Sequence, residues 1–225
     1  ELYHCSAEDL SDFLGFLDRI CSYVGTTADL TEAAEHFSAA CREENILYAE
    51  AILNPTHWPQ FSLPDIISAV TEGFDRGEAA GGADCRFTLS LSRNQTAEEA
   101  DALVSAMERC RTPRLAGLSI DGNEALSGRP GDRFAPAFAR ARELGFGLTA
   151  HAGESSGPEG VLDALECLKV DRIDHGVRAA EDPALLERLR RDGTRLFLAT
   201  NKALRATRLI VEKQGWLPVF EQIHT

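Results

Sequence analysis

The chain has 225 residues, 44% of them hydrophobic and 26% charged, with a formal net charge of -13. That length can bury a sizeable core and suggests one domain, and the composition excludes wholesale disorder. The acidic balance disfavours general binding to phosphate backbones, and no apolar run approaches the roughly 20 residues of a membrane-spanning helix. No signal peptide opens the chain, which starts at Glu1 rather than Met, and a missing upstream segment is the expectation. The six cysteines, Cys5, Cys21, Cys41, Cys85, Cys110 and Cys167, contain no C-x-x-C pair. Reduced thiols in a cytoplasmic protein are therefore expected.

In chain order, residues 7–24 and 30–41 read as two helices with no strand between them. Residues 45–53 form the first short apolar run rich in strand formers, and runs at 85–91, 115–120, 146–150, 172–177 and 195–199 follow. Continuous apolar runs of this kind suit strands buried on both faces of a parallel sheet. Helical patterns lie between them. Thr96 with Glu99 makes a capping box, after which Ala100, Leu103, Val104 and Met107 fall on one face. Pro158 opens a helix carrying Val161, Leu162, Leu165 and Leu168, and Pro183 opens another with Leu185, Leu186 and Leu189.

Strands that start every ~25 to 40 residues with helices between them are βαβ units. Two architectures compete, an open doubly wound sheet and a closed (β/α)8 barrel. The chain has no G-x-G-x-x-G and no G-x-x-x-x-G-K-[ST], so the nucleotide-binding doubly wound folds lose their best support. In a barrel the site lies at the C-terminal ends of the strands. Those ends here read Ser90-Leu91-Ser92-Arg93, Asp121-Gly122-Asn123-Glu124, His151-Ala152-Gly153-Glu154, Asp174-His175-Gly176 and Thr200-Asn201. Five successive polar clusters at strand ends fit one shared face.

His151 and Glu154 are three apart on a turn, so they can converge on one small volume. The histidine can bind a metal ion, and the carboxylate can shuttle a proton. The same pair also occurs as a purely structural contact. His175 ends the next strand, and neighbouring strands lie about 4.8 Å apart, so all three groups can share a pocket. Gly122 lets a flat ligand approach the backbone, or simply makes a turn.

These residues resemble the adenosine deaminase family, zinc-dependent hydrolases on a (β/α)8 barrel. Thr149 to Glu154 match the family's THAGE segment, Arg172-Ile173-Asp174-His175-Gly176 its RIGHG segment, and residues 117–124 (GLSIDGNE) its GIDLAGDE segment. Tyr48 and Glu50, followed by Pro55 and His57, are similar to its Y-x-E…P stretch. The resemblance covers roughly residues 8 to 200. It implies that His151 is a zinc ligand, that Glu154 protonates purine N1 while water attacks C6, and that His175 orients or deprotonates that water. It also implies that the Gly122 backbone N–H meets the purine. Asp174 replaces the family's glycine and is expected to set a negative charge beside His175.

Two family features have no counterpart. The chain contains no H-x-H, and no aspartate follows Asp192. The first and last barrel strands are accordingly expected to be missing, leaving an incomplete barrel of six strands over residues 1–200 with two parallel edges exposed. Residues 201–225 are expected to be a divergent tail, because residues 195–225 are net +3 and residues 1–194 net -16. The tail reads as a long loop, although Leu204, Arg208, Val211 and Gly215 permit a short amphipathic helix. The resemblance implies zinc-dependent deamination of adenosine or a related 6-aminopurine, with a purine as the small-molecule partner, while charge and hydropathy argue against nucleic acid and membrane as partners. The alternative is an inactive truncated homologue that binds a purine or a partner protein. A metal-free doubly wound binding protein is a third reading.

Overall fold

The computed structural model describes residues 10–199, 203–213, 215, 217 and 220–224. They form two compact units, one ending at Gly176 and the other starting at Val177. Cys5, Thr200 and Asn201 lie outside the described residues, as does the start of the first expected helix.

The first unit opens with two helices, α1 (Leu10–Cys21) and α2 (Thr27–Glu43). Strand and helix then alternate: β1 (Tyr48–Leu53), α3 (Leu63–Ala79), β2 (Asp84–Ser92), α4 (Ala97–Arg109), β3 (Leu115–Asp121), α5 (Glu124–Ser127), α6 (Gly131–Glu143), β4 (Gly147–Ala152), α7 (Pro158–Asp163) and β5 (Arg172–His175). Side chains start the helices where the sequence places them. Thr96 accepts from the Glu99 N–H while Glu99 accepts from the Thr96 N–H, which closes the capping box of α4. Pro158 begins α7, but the expected long helix is interrupted, because Ala164–Leu168 form a π-helical turn that ends at Lys169 with φ +53°.

The five strands are all parallel and lie in the order β1-β2-β3-β4-β5. Side chains alternate between the faces. One face carries Phe87, Leu89, Leu91, Leu118, Ile120, Leu148 and Ala150, all buried. It belongs to one core cluster with Phe74 of α3, Val104 and Met107 of α4, and Phe134 and Phe138 of α6. The other face carries Glu50, Thr88, Ser90, Ser119, Thr149, His151, Arg172 and Asp174 by register.

The polar face is concave. In a flat sheet, four inter-strand spacings would hold β1 and β5 about 19 Å apart, too far for side chains to meet. The Arg172 guanidinium on β5 nevertheless donates to the Glu50 carboxylate on β1 at 2.8 Å, so the sheet curls. Tyr48 hydroxyl and Arg172 together outweigh burial and hold the Glu50 carboxyl below the usual glutamate range. The result is a parallel half-barrel clad in helices.

The second unit contains a 3₁₀ turn (Val177–Glu181), α8 (Pro183–Arg191), β6 (Phe197–Ala199), α9 (Leu204–Lys213) and β7 (Gln222–His224). Asp182 caps α8 by accepting from the Ala184 and Leu185 N–H groups. The amphipathic helix that the sequence permits in the tail is α9. The strand expected as the sixth of the barrel is present as β6, but it pairs in parallel with β7, and the barrel sheet holds five strands among the described residues.

Helices α2 and α3 approach closely at Gly73, where any Cβ would overlap the Thr31 carbonyl oxygen and the Ala34 Cβ. Gly73→Ala should lower the unfolding free energy by about 1–3 kcal/mol through overpacking. A urea midpoint equal to that of the parent chain would contradict this contact.

Candidate active site

The C-terminal ends of β3, β4 and β5 carry the sequence-predicted residues. Register places His151 opposite Asp174 and Ala152 opposite His175. Strict alternation would therefore keep the two histidines on opposite faces. His175, however, has φ +70°, in the left-handed region that a histidine rarely adopts. The strand pattern stops there, and the ring of His175 lies 5.0 Å from that of His151, tilted by 56°. His175 Nε2 lies 3.5 Å from Glu154 Oε1. The structure thus brings His151, Glu154 and His175 together, with all three side chains partly open to solvent.

Gly122 follows β3 with φ +103°. An added Cβ would meet nothing closer than 3.7 Å, so conformation rather than crowding calls for glycine there. Beside it, Asp121 accepts from Asn54 Nδ2 at 2.6 Å, which ties the end of β3 to the residue after β1.

Asp174 does not stand where expected. Its carboxylate accepts from Thr149 Oγ1 at 2.7 Å and from Arg172 Nε at 3.2 Å, and lies 3.9 Å from His151 Nδ1. The added charge therefore serves the His151 side of the site. Neighbours along a strand point to opposite faces, and Asp174 shares the face of His151.

Glu124, which carries no role legible from the sequence alone, accepts more hydrogen bonds than any other side chain described at this site. Its side chain is 2% exposed. One carboxylate oxygen accepts from the Gly153 N–H at 3.1 Å and the Ser156 hydroxyl at 2.9 Å. The other accepts from the N–H groups of Glu154, Ser155 and Ser156 at 2.8, 3.2 and 3.4 Å. Arg93, itself buried, lies 3.5 Å away and donates to the His151 carbonyl oxygen. Burial pushes the Glu124 carboxyl up, but the Glu154 N–H, the Ser156 hydroxyl, Arg93 and the Gly153 N–H together hold it below the usual glutamate range. Burial also pulls Arg93 below the usual arginine value, against the opposing pull of Glu124. A partial signal lay in the sequence, where Glu124 closes the 117–124 motif.

A catalytic zinc normally takes three protein ligands. His151 Nδ1 is buried and has no hydrogen-bond partner among the described residues. No group of three or more His, Cys, Asp and Glu stands together to hold a metal ion among those residues. One histidine does not make a zinc site, so the described residues alone do not fit the ion.

A half-barrel of parallel strands with histidines and acids at its C-terminal rim defines an incomplete (β/α)8 barrel of the amidohydrolase type. The adenosine deaminase family model matches residues 2–213. An adenine deaminase from Agrobacterium fabrum is 35% identical over 188 residues, which cover 83% of this chain and 57% of the relative. An adenine deaminase from Cupriavidus necator is 37% identical over 188 residues, covering 82% and 52%. Among solved structures, an amidohydrolase from Burkholderia ambifaria with bound Zn has a TM-score of 0.78 at 29% identity, covering 94% of this chain and 62% of that one. The chain belongs to the adenosine deaminase family. It spans little more than half the length of these adenine deaminases.

Two measurements test this geometry. At position 175 the left-handed backbone costs a side chain about 1 kcal/mol relative to glycine, so His175→Gly should unfold at higher urea than His175→Ala. The reverse order would contradict the positive φ. The lowered Glu124 carboxyl contributes stability that is complete above the ordinary glutamate range and is lost as pH falls through its depressed folded value. Glu124→Gln should therefore flatten the acid limb of stability below about pH 5, and an unchanged limb would exclude a depressed Glu124.

Proposed function

We propose that this chain carries the proton-handling wall of a hydrolytic 6-aminopurine deaminase, with adenine as the leading substrate. The convergence of His151, Glu154 and His175 at the ends of β4 and β5 carries this reading. Family membership supports it, and two relatives at 35% and 37% identity are named adenine deaminases. In the reaction, water adds to C6, the C6–N bond breaks, and adenine plus water gives hypoxanthine plus ammonia. The ring accepts a tetrahedral carbon only if N1 gains a proton, and Glu154 supplies it. His175, 3.5 Å from Glu154, takes the proton that the water releases. The Gly122 N–H meets the purine edge. His151 is proposed as one ligand of the family's zinc, which supplies water activation when bound, but the described residues do not complete that site.

That shortfall favours a second reading, an inactive homologue that binds a purine without turning it over. Ammonia release from adenine, with adenosine and AMP as rival substrates, separates the two when measured on the purified chain supplied with zinc. Glu154→Gln and His175→Ala should each lower turnover by about 10²- to 10⁴-fold. Parent-like rates in either variant would remove that residue from the reaction. Hypoxanthine binding with no ammonia release would establish the second reading.

A further inference from the structure

We propose that Glu124 is a positioning residue that holds the segment from Gly153 to Ser156, and with it the carboxyl of Glu154, in the site; its bearing on catalysis rests on the deaminase reading above. Residues 153–157 form no helix or strand, so their amides have no regular partners. Four consecutive N–H groups instead converge on one buried carboxylate. Bonds from N–H to an ionised acceptor are about twice as strong as neutral ones, and a dry surrounding strengthens them further.

The neighbours are built around that carboxylate. Gly160 has no side chain, and any Cβ there would overlap Glu124 Oε1 and Ser156 Oγ. Gly153 has φ +66°, which turns the chain directly after β4 so that successive N–H groups can point to one acceptor. The Glu124 N–H in turn donates to Ser155 Oγ at 3.1 Å, and Asn123 Oδ1 accepts from the same hydroxyl at 3.3 Å. Arg93 balances the charge and also donates to the His151 carbonyl oxygen, so one buried pair braces both ends of the His151–Glu154 turn.

A salt bridge to Arg93 alone would be weak evidence of any role, because buried pairs often contribute little net stability. The feature that sets Glu124 apart is where its remaining hydrogen bonds go. All of them reach the segment that bears Glu154, 30 residues away in sequence.

Native-state hydrogen exchange, read residue by residue by NMR, tests the clamp without reference to activity. In the parent chain the Gly153, Glu154, Ser155 and Ser156 amides should exchange at least ~10-fold more slowly than in a free peptide. In Glu124→Gln, which keeps shape but loses charge and turns an N–H₂ toward the donors, the protection should vanish at these four positions and persist at Leu118 and Ala150. Gly160→Ala, which leaves Glu124 and Arg93 in place, should loosen the same four and covers the case in which Glu124→Gln does not fold. Free-peptide rates in the parent, or full protection in a folded Glu124→Gln, would overturn the proposal.

Kinetics then separate positioning from bulk stability. Glu124→Gln should lower kcat by about 10- to 100-fold with KM nearly unchanged. It should lower nothing further once Glu154→Gln is present, whereas additive losses would overturn action through Glu154. The exchange pattern in a chain that releases no ammonia would overturn the deaminase reading and uphold the clamp. Ammonia release without that pattern would do the opposite.

Discussion

Everything in the first unit depends on five parallel strands keeping one register, because register decides which side chains face inward. The side-chain period in a strand is two, so a slip of one residue would send the whole polar set of one strand into the apolar layer. Phe87, Leu89 and Leu91 would then trade places with Thr88 and Ser90. The apolar face is locked by the helices that pack on it, and the polar face follows from that lock. His151 lies on the inner face because Ala150 and Ala152 must lie on the outer one.

His175 departs from that rule at one residue. Strand pairing would assign it to the face of Ala152, and its left-handed backbone releases it at the rim. Strain of this kind costs on the order of 1 kcal/mol or more and persists only where the surroundings enforce it. Gly176, itself at φ +65°, donates its N–H to the Ala152 carbonyl oxygen and pins the turn. The site thus joins two electrical regimes. The groups proposed to move protons are partly wet, and the pair of charges beneath them, Glu124 and Arg93, is dry. Wet groups exchange protons with their surroundings readily, while dry charges hold geometry against thermal motion.

Much of this was legible in the sequence. Apolar runs located the strands to within a few residues, since buried parallel strands leave that mark, and the Thr96 capping box and Pro158 marked helix starts. His151, Glu154 and His175 stood out because strand ends are where polar residues have no packing reason to gather. Glu124 did not stand out. An acid just after a helix-capping asparagine looks like an exposed first-turn residue, and only a distant loop makes it buried. Asp174 is adjacent to His175 in sequence yet faces His151 in space, because neighbours along a strand point to opposite faces. The pairing of Phe197–Ala199 with Gln222–His224 was hidden as well, since three-residue strands carry too little periodicity to be read.

The contact between Glu50 and Arg172 links residues 122 positions apart. Bringing such distant points together carries a loop-closure entropy cost that nearer pairings meet first. Loop-closure entropy alone makes the contacts between neighbouring βαβ pairs cheaper to form than this span across the concave face, so the span is expected to close after them. Interactions that form late mainly govern how fast the folded state is left rather than how fast it is reached. An arginine that closes so long a span is therefore expected to slow the loss of the half-barrel more than it speeds its formation.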